Sequence, residues 1–209
     1  MKLLLLGASG LVGGEVLRLA LAEPAVSAVV APGRRALPPQ PKLDAPLIDW
    51  DALPDQAPWW RADAVICTLG TTMRAAGSQA AFRRVDHDYP LAAARLARRH
   101  GARAYALNSA LGADPASRIF YNRVKGELEQ ALRGLDYPSL SLVRPGLIGG
   151  QREAFRTGER VATWALRLAG PVLSRRWRIN PAPRIARALL DAALRAEPGL
   201  HIVESDRLT

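Results

Sequence analysis

Cysteine is almost absent from this chain of 209 residues, which contains Cys67 alone. One cysteine cannot form an intrachain disulfide, and a chain without disulfides fits a reducing compartment, so we expect a cytoplasmic protein. The three histidines lie far apart, at His87, His100 and His201. Together with one cysteine they form no group with the spacing of metal ligands, and we therefore expect no metal site.

Long apolar runs are absent as well. A segment that crosses a bilayer needs roughly 18 to 20 consecutive apolar residues, and no run in this chain reaches that length. The apolar start, Met1–Leu6, is followed at once by the glycines of residues 7–13. We interpret it as a first strand rather than a targeting segment, and we expect no membrane partner.

Lysine is scarce in a chain that is otherwise strongly basic. The formal net charge is +10, yet only Lys2, Lys42 and Lys125 among the 29 basic residues are lysines, and the arginines are spread along the whole chain. A basic chain can bind nucleic acid, but no dense basic run with interleaved aromatic residues occurs here. The pattern favours a solvated basic surface, so nucleic acid is the least favoured partner and a small molecule the expected one.

The chain does contain a regular alternation of strand-like and helix-like patterns, with a proline-rich loop at residues 36–46. Apolar runs that end at glycine or proline predict strands at residues 2–6, 26–31, 46–50, 64–69, 102–107, 139–143 and 200–203. Helical periodicity predicts helices at residues 11–22, 89–99, 121–134, 159–169 and 183–196.

This alternation predicts one α/β domain over residues 1–209, with a doubly wound, mainly parallel sheet and helices on both faces. The arginine-rich segment 147–180 is expected to form a small substrate lid or an interface. The sequence leaves the oligomeric state open, and a homo-oligomer is compatible with it.

Glycines at three-residue intervals follow the first predicted strand, at Gly7, Gly10 and Gly13. This is the context of a dinucleotide-binding turn, in which glycines allow a tight turn, close approach of the backbone to a pyrophosphate, and close packing of helix on strand. The start of the following helix offers free N–H groups to the phosphates. The alternative is a plain strand–helix turn without a ligand.

Two arginines, Arg34 and Arg35, follow the second predicted strand, where a site for NAD usually has an acidic residue that binds the ribose hydroxyls. No carboxylate is near. A guanidinium can bind a 2′-phosphate with two hydrogen bonds, so this pair favours NADP(H) over NAD(H). Alternatively, the pair consists of surface residues in an arginine-rich chain.

Tyr121 and Lys125 lie four residues apart in a predicted helix and therefore share one of its faces. An ammonium beside a phenol stabilises the phenolate, which makes the phenol a usable acid or base near neutral pH. Ser109 follows the fifth predicted strand, at the edge of the sheet where ligands bind, and its hydroxyl could polarise a substrate carbonyl. The alternatives are an ordinary amphipathic helix and a serine that caps a loop or a helix.

Several motifs in this order resemble the short-chain dehydrogenase/reductase superfamily, and in particular its atypical group with the Tat-interacting oxidoreductases and their bacterial relatives. They are Leu-Gly-Ala-Ser-Gly at 6–10, Gly-Arg-Arg at 33–35, Leu-Gly-Thr-Thr at 69–72, Val-Asp-His-Asp-Tyr at 85–89, Tyr-x-x-x-Lys-Gly-Glu at 121–127 and Arg-Pro-Gly at 144–146. The resemblance spans residues 3–150 and is only general in the last third.

The resemblance implies a catalytic set of Ser109, Tyr121 and Lys125 and a coenzyme site that shares the last two of these. It implies that the other coenzyme contacts are Gly7, Ser9, Gly10, Leu11, Val12, Gly13, Arg34, Arg35, Asp49, Leu69, Gly70, Thr71, Pro145, Gly146 and Leu147. Among them, Asp49 would lie beside the adenine amino group, and Pro145 to Leu147 would border the nicotinamide.

One position departs from the family pattern. Many members have an asparagine in the helix before the fifth strand, which completes a proton relay, and here the equivalent residue is Asp86. Two functions therefore remain in view. One is an NADP(H)-dependent oxidoreductase that acts on a carbonyl or related small molecule, and the other is a non-catalytic NADPH-binding sensor or regulator.

Overall fold

A run of leucines forms the first strand because both of its faces are buried. Leu3, Leu4, Leu5 and Leu6 are all 0% exposed. Leu3 and Leu5 pack into the hydrophobic cluster on one face of the sheet, and Leu4 and Leu6 pack into the cluster on the other. Such a continuous apolar run is typical of a parallel strand covered by helices on both sides.

The computed structural model describes residues 1–149 and 179–209. The strands in these ranges are β1 (Lys2–Leu6), β2 (Ala28–Val30), β3 (Leu43–Asp44), β4 (Ala64–Cys67), β5 (Ala104–Asn108), β6 (Ser139–Arg144), β7 (Ile148–Gly149), β8 (Asn180–Pro181) and β9 (Gly199–Glu204). The α-helices there are α1 (Leu11–Ala22), α2 (Met73–Ala76), α3 (Gln79–Arg83), α4 (Tyr89–Arg99), α5 (Phe120–Arg133) and α6 (Ala182–Arg195). A π-helical turn, Arg84–Asp88, joins α3 to α4, and 3₁₀ turns occur at Pro58–Trp60 and Ser205–Leu208.

Seven strands form one parallel sheet in the order β3-β2-β1-β4-β5-β6-β9. Helices α1 and α6 pack on one face, where Val16 and Leu189 are fully buried. Helices α4 and α5 cover the other face, where Ala94 and Leu128 are fully buried. The prediction of a doubly wound α/β fold is confirmed.

The strand order reverses between β1 and β4. In open α/β sheets the ligand crevice lies outside the carboxyl ends of the strands at such a reversal. Here the two strands run side by side, with Leu6 opposite Cys67. The topology therefore places a binding site where the β1–α1 turn meets the residues that follow β4.

The third strand lies earlier than the predicted residues 46–50. Leu43 and Asp44, inside the expected loop, pair with Val29 and Val30 of β2. Farther on, Gly33 and Leu47 form only an isolated bridge. Proline has no N–H to donate to a strand ladder, so Pro46 interrupts the pairing that a longer strand would need.

Three short helical elements escaped sequence analysis: α2, α3 and the π-helical turn. They are too short to show a clear hydrophobic period. The predicted helix at residues 159–169 lies outside the described residues, as does most of the predicted lid. At its two ends, Ile148 and Gly149 of β7 pair with Asn180 and Pro181 of β8. Within the described ranges, no helix has the length and apolar character that a bilayer crossing requires.

Close packing of the β1–α1 turn against the end of β4 decides which residues this turn can contain. Gly7 has φ +90°, and a Cβ there would lie 2.8 Å from both the Leu69 nitrogen and the Thr68 carbonyl carbon. A Cβ on Gly13 would lie 2.0 Å from the Gly7 oxygen and 2.6 Å from the Thr68 Oγ1 atom. The Thr68 hydroxyl in turn lies 2.9 Å from the Leu6 oxygen, to which it donates.

We predict that Gly13→Ala lowers the free energy of unfolding by about 2 kcal/mol or more, because the added carbon overlaps fixed backbone atoms. Gly14→Ala is the matched control, since its Cβ would come no closer than 3.7 Å to the Ala8 oxygen. The control is expected to raise the free energy of unfolding by up to about 1 kcal/mol, because alanine favours a helix. Urea unfolding measures both, and equal effects of the two changes would contradict the packing described here.

Candidate active site

The start of α1 is free to bind an anion. Gly10 is its N-cap residue, and no side chain among the described residues caps it. The first N–H groups of a helix have no partner within the helix and present partial positive charge. Gly10 has no side chain that could cover these N–H groups, so the backbone at the start of α1 can approach a pyrophosphate closely.

A small cleft opens beside this turn. Its lining combines backbone of the turn, two arginines and a group of apolar side chains. These residues are Gly7, Ala8, Ser9, Ala31, Pro32, Gly33, Arg34, Arg35, Leu37, Trp50, Leu69, Val85 and Tyr89. The cleft is therefore lined by both charged and apolar side chains.

The two arginines that follow β2 both line the cleft. Arg35 Nη2 lies 3.3 Å from Ser9 Oγ, to which it donates. Ser9 belongs to the β1–α1 turn, so the guanidinium reaches across the cleft opening to the expected phosphate site. The structure thus brings Ser9 close to Arg34 and Arg35, which follow it by 25 and 26 positions in the chain.

Trp50 lines the cleft, whereas its neighbour Asp49, which was predicted to contact the adenine, does not. The Trp50 ring is 7% exposed and stacks on Tyr89, with 5.8 Å between the ring centroids. Asp49 is exposed, and its Oδ1 accepts a hydrogen bond of 2.9 Å from the Asp51 N–H outside the cleft lining. The flat Trp50 ring could pack against a purine ring. This residue was not among the predicted coenzyme contacts.

The cleft contains only part of the predicted coenzyme set. Gly7, Ser9, Arg34, Arg35 and Leu69 line it. Besides Asp49, the predicted contacts outside its lining are Gly10, Leu11, Val12, Gly13, Gly70, Thr71, Tyr121, Lys125, Pro145, Gly146 and Leu147. They lie at the start of α1, in α5, or after β4 and β6, which all meet at the carboxyl edge of the sheet.

Tyr121 and Lys125 share one face of α5, as their spacing predicts. Lys125 Nζ lies 6.0 Å from the centroid of the Tyr121 ring. The tyrosine is 38% exposed and the lysine only 4%. The phenol is thus accessible to a substrate, while the ammonium approaches it from the protein interior.

A buried ion pair holds that ammonium. Lys125 Nζ lies 2.7 Å from Asp86 Oδ1, and the carboxylate is 1% exposed. Burial lowers the pKa of the Lys125 ammonium, but the negative charge of Asp86 and the nearby Tyr121 phenol outweigh it, so the pKa lies above its usual value. Asp86 Oδ2 also accepts a hydrogen bond of 2.7 Å from the Thr71 N–H.

The Ser109 hydroxyl points to a carboxylate rather than into open space. It lies 2.5 Å from Glu129 Oε1, to which it donates, and the serine is 4% exposed. Glu129 also accepts hydrogen bonds from the Arg144 guanidinium, which contacts Glu204 as well. Hydrogen bonds to Glu129 raise the pKa of Arg144 further above its usual value. Polarisation of a substrate carbonyl by Ser109 therefore stays a prediction, and it requires the hydroxyl to leave Glu129.

Residues 145–147, expected beside the nicotinamide, are fixed by a buried asparagine. Asn180 is 0% exposed, and its Oδ1 accepts a hydrogen bond of 2.6 Å from the Gly146 N–H. The Asn180 N–H donates to the Leu147 oxygen at 2.8 Å. Asn180 Nδ2 donates to the Ser205 backbone oxygen, and the Ser205 hydroxyl donates to Asn180 Oδ1. The role of Asn180 could not be predicted from the sequence, because an asparagine before a proline indicates only the start of a helix.

The comparisons with known proteins agree with this architecture. No family model matches the chain. Protein fmp52, mitochondrial, from Emericella nidulans is 35% identical over 208 residues, which is 93% of this chain and 88% of that protein. Protein HTATIP2 from Rattus norvegicus is 36% identical over 184 residues, which is 81% of this chain and 76% of that protein.

Solved structures share the fold at low sequence identity. MoeE5 in complex with UDP-glucose and NAD superposes with a TM-score of 0.75 at 15% identity, covering 97% of this chain and 75% of that chain. A short chain dehydrogenase family protein from Francisella tularensis subsp. tularensis SCHU S4 superposes with a TM-score of 0.63 at 15% identity, covering 99% and 98% of the two chains.

The sheet order and the strand–turn–helix that follows β1 define the class as that of the Rossmann-like α/β folds, which the solved structures share. Within this class the chain belongs to the family that contains fmp52 and HTATIP2. The resemblance inferred from the motifs is confirmed.

The expectation of a cytoplasmic location is contradicted by these relatives. The fmp52 proteins of Emericella nidulans, Aspergillus fumigatus and Coccidioides immitis are all named as mitochondrial. The expectation rested on a single cysteine and on the lack of a long apolar run. Both features are compatible with a mitochondrial protein, so neither could decide between the two locations.

We predict that Ser109→Ala lowers the free energy of unfolding by about 1.5 to 3 kcal/mol, because the buried Glu129 carboxylate loses a charge-assisted hydrogen bond. Urea unfolding measures the change. Ser27→Ala, at an exposed serine before β2, is the control and should stay within about 0.5 kcal/mol of the parent. If both variants are as stable as the parent, the hydrogen bond between Ser109 and Glu129 does not stabilise the fold.

Proposed function

We propose that this chain is an NADP(H)-dependent reductase that acts on a carbonyl group of a small molecule. One observation carries the proposal: Tyr121, 38% exposed with a buried ammonium behind its ring, lies on the helix that follows β5. The β1–α1 turn lies at the same carboxyl edge of the sheet. A phenol that can donate a proton and a turn that can bind the phosphates of a hydride-donating coenzyme therefore lie at the same edge of the sheet, where both could act on one substrate.

The residues at the turn fit a nicotinamide dinucleotide. The N-cap residue Gly10 has no side chain that competes for the helix N–H groups, and Gly7 and Gly13 allow the β1–α1 turn to pack against the end of β4. The Trp50 ring and Leu69 suit the adenine. The names of several structural neighbours include bound NAD, which supports the same class of coenzyme.

The preference for the 2′-phosphorylated coenzyme is supported by charge. Arg34 and Arg35 line the cleft just after β2, and Arg35 already donates to Ser9 across its opening. Both side chains are exposed and carry no ion pair within the described part of the chain. Two unpaired guanidinium groups beside the ribose position favour a phosphate over two neutral hydroxyls.

When bound, the coenzyme supplies a hydride to the substrate carbonyl carbon. Tyr121 donates its hydroxyl proton to the carbonyl oxygen in the same reaction and is left as a phenolate. The Lys125 ammonium stabilises that phenolate electrostatically, since the two groups meet in a partly buried site. Solvent can reprotonate Tyr121, which is exposed.

A second function, a non-catalytic NADPH-dependent sensor or regulator, is favoured by one observation. The Ser109 hydroxyl donates to Glu129 and is therefore not free to polarise a carbonyl. The sensor would bind the coenzyme with the same turn and the same arginines. It would show no turnover with any carbonyl compound, and its affinity for a partner would depend on the bound nucleotide.

We predict that the double change Arg34→Ala and Arg35→Ala weakens NADPH binding about tenfold or more, a loss of at least about 1.4 kcal/mol, and changes NADH binding by less than about twofold. The 2′-phosphate loses its cationic partners, whereas NADH has no such group. Calorimetric titration measures both affinities. Arg133→Ala, at the far end of α5, removes a charge away from the cleft and should leave both affinities unchanged. Equal weakening of NADH and NADPH would contradict the assignment of these arginines.

We predict that Tyr121→Phe lowers turnover of carbonyl substrates by about 100-fold or more, because the proton donor is lost. Affinity for NADPH should stay within about twofold, because the ring remains. Consumption of NADPH, followed at its absorbance band across a panel of aldehydes, ketones and quinones, measures turnover. Tyr137→Phe is the control, since the Tyr137 hydroxyl binds the Ala94 oxygen within the core. Full activity of Tyr121→Phe would exclude the phenol as the acid, and an inactive parent that binds NADPH would favour the sensor.

A further inference from the structure

Asp86 is a buried carboxylate whose place in the chain depends on an unusual turn. The Tyr89 N–H binds the Arg84 oxygen five residues earlier, which makes Arg84–Asp88 a π-helical turn between α3 and α4. The wider turn directs Asp86 inward, where it is 1% exposed, whereas the Asp88 side chain two residues later is 55% exposed. Such turns within helices occur frequently at functional sites.

Both oxygens of this carboxylate are used, and each binds a different part of the site. Oδ1 lies 2.7 Å from Lys125 Nζ on α5. Oδ2 lies 2.7 Å from the Thr71 nitrogen, in the segment that follows β4. A buried charge is tolerated only when it is both paired and hydrogen-bonded, and Asp86 meets both conditions.

Gly70 lies directly over this ion pair. A Cβ at Gly70 would come 3.2 Å from Asp86 Oδ1 and 3.7 Å from Lys125 Nζ. Its neighbour Leu69 lines the coenzyme cleft. The backbone of residues 69–71 therefore touches the coenzyme cleft on one side and the Asp86–Lys125 pair on the other.

The ammonium has few other partners. Besides Asp86, the titratable groups that act on Lys125 are Tyr121 on its own helix and Cys67 at the end of β4. Burial raises the pKa of the Cys67 thiol, which is therefore neutral near pH 7. Asp86 is thus the one carboxylate among these groups, and it forms the ion pair with Lys125.

We propose that Asp86 is a positioning residue, whose carboxylate keeps Lys125 charged behind Tyr121 and at the same time fixes the backbone of residues 69–71. The proposal rests on the reductase function proposed above. It assigns two separable tasks to one side chain, because Oδ1 acts through its charge on Lys125 and Oδ2 acts as a hydrogen-bond acceptor for Thr71. Asparagine can take over the second task and not the first.

The titration of Lys125 tests the first task without coenzyme or substrate. The chain has only three lysines, so lysine labelled with ¹³C at Cε gives three NMR signals, and Lys125→Arg identifies one of them. In Asp86→Asn the Lys125 signal should titrate at least about one pH unit lower than in the parent, because a buried ammonium without its anion releases its proton more readily. Lys2 and Lys42 should titrate as in the parent. An unchanged Lys125 titration overturns the proposal.

Hydrogen exchange at the Thr71 amide tests the second task. Asp86→Asn should preserve the protection of this amide, since the side-chain oxygen still accepts its hydrogen bond, and Asp86→Ala should lose about tenfold or more of it. Asp88→Asn, two residues later and exposed, is the matched control for both readouts and should behave as the parent. Equal protection in Asp86→Ala and the parent overturns the second task. If Asp86→Ala fails to fold, Asp86→Asn still decides the first task.

Turnover distinguishes this proposal from the function on which it rests. In Asp86→Asn, Lys125 loses its charge at a lower pH than in the parent. The alkaline fall of kcat should therefore begin at a pH at least about one unit lower than in the parent. At acidic pH, kcat should stay close to that of the parent. A uniform loss of kcat at all pH values would overturn the positioning role. If the NMR shift occurs but the parent neither binds nor oxidises NADPH, the reductase function fails and the coupling of Asp86 to Lys125 stands.

Discussion

The backbone contact between the β1–α1 turn and the end of β4 is the constraint on which the rest of this site depends. The Cβ positions at Gly7 and Gly13 lie within 2.8 Å of neighbouring backbone or side-chain atoms, so only glycine allows the turn to pack this tightly. The tight packing aligns the start of α1 with the strand-order reversal of the sheet. The same contact leaves the first N–H groups of α1 uncovered, and the cleft with Arg35 and Trp50 opens directly beside them.

A second feature of the site is that three of its candidate groups are each tied to a buried polar partner. Lys125 is paired with Asp86, Ser109 donates to Glu129, and the Gly146 N–H donates to Asn180. Because an unpaired polar group in the interior is costly, these pairs restrict the site to few arrangements. They also connect α5 with the π-helical turn and with the residue after β5, and the residues after β6 with β8, so a change at one of these partners alters the position of the group that it holds.

Much of the fold could be predicted from the sequence, because its pattern is strong where strands and helices are long. The leucine run of β1, the glycine triplet and the periodic helices α1, α4, α5 and α6 were all found at nearly their observed bounds. The third strand was misplaced, since two paired residues carry no recognisable pattern in a proline-rich loop. The π-helical turn that directs Asp86 inward depends on one backbone hydrogen bond, which no spacing of residues reveals.

The candidate site was predicted in outline for the same reason. Motif spacing could bring Tyr121 next to Lys125, and strand order could bring Ser9 close to Arg35. Partners that lie far apart in sequence and outside motifs were not accessible in this way, as Trp50 and Asn180 show. The hydrogen bond from Ser109 to Glu129 shows that a residue can occupy its expected position while its hydroxyl points elsewhere.

Calorimetric titration of the nucleotide-free protein with NADPH and with NADH tests the central claim most directly, since both proposed functions require a dinucleotide at the start of α1. We predict heat of binding with both coenzymes, one bound coenzyme per chain, and tighter binding of NADPH. No heat with either coenzyme would contradict the claim that the β1–α1 turn is a dinucleotide site.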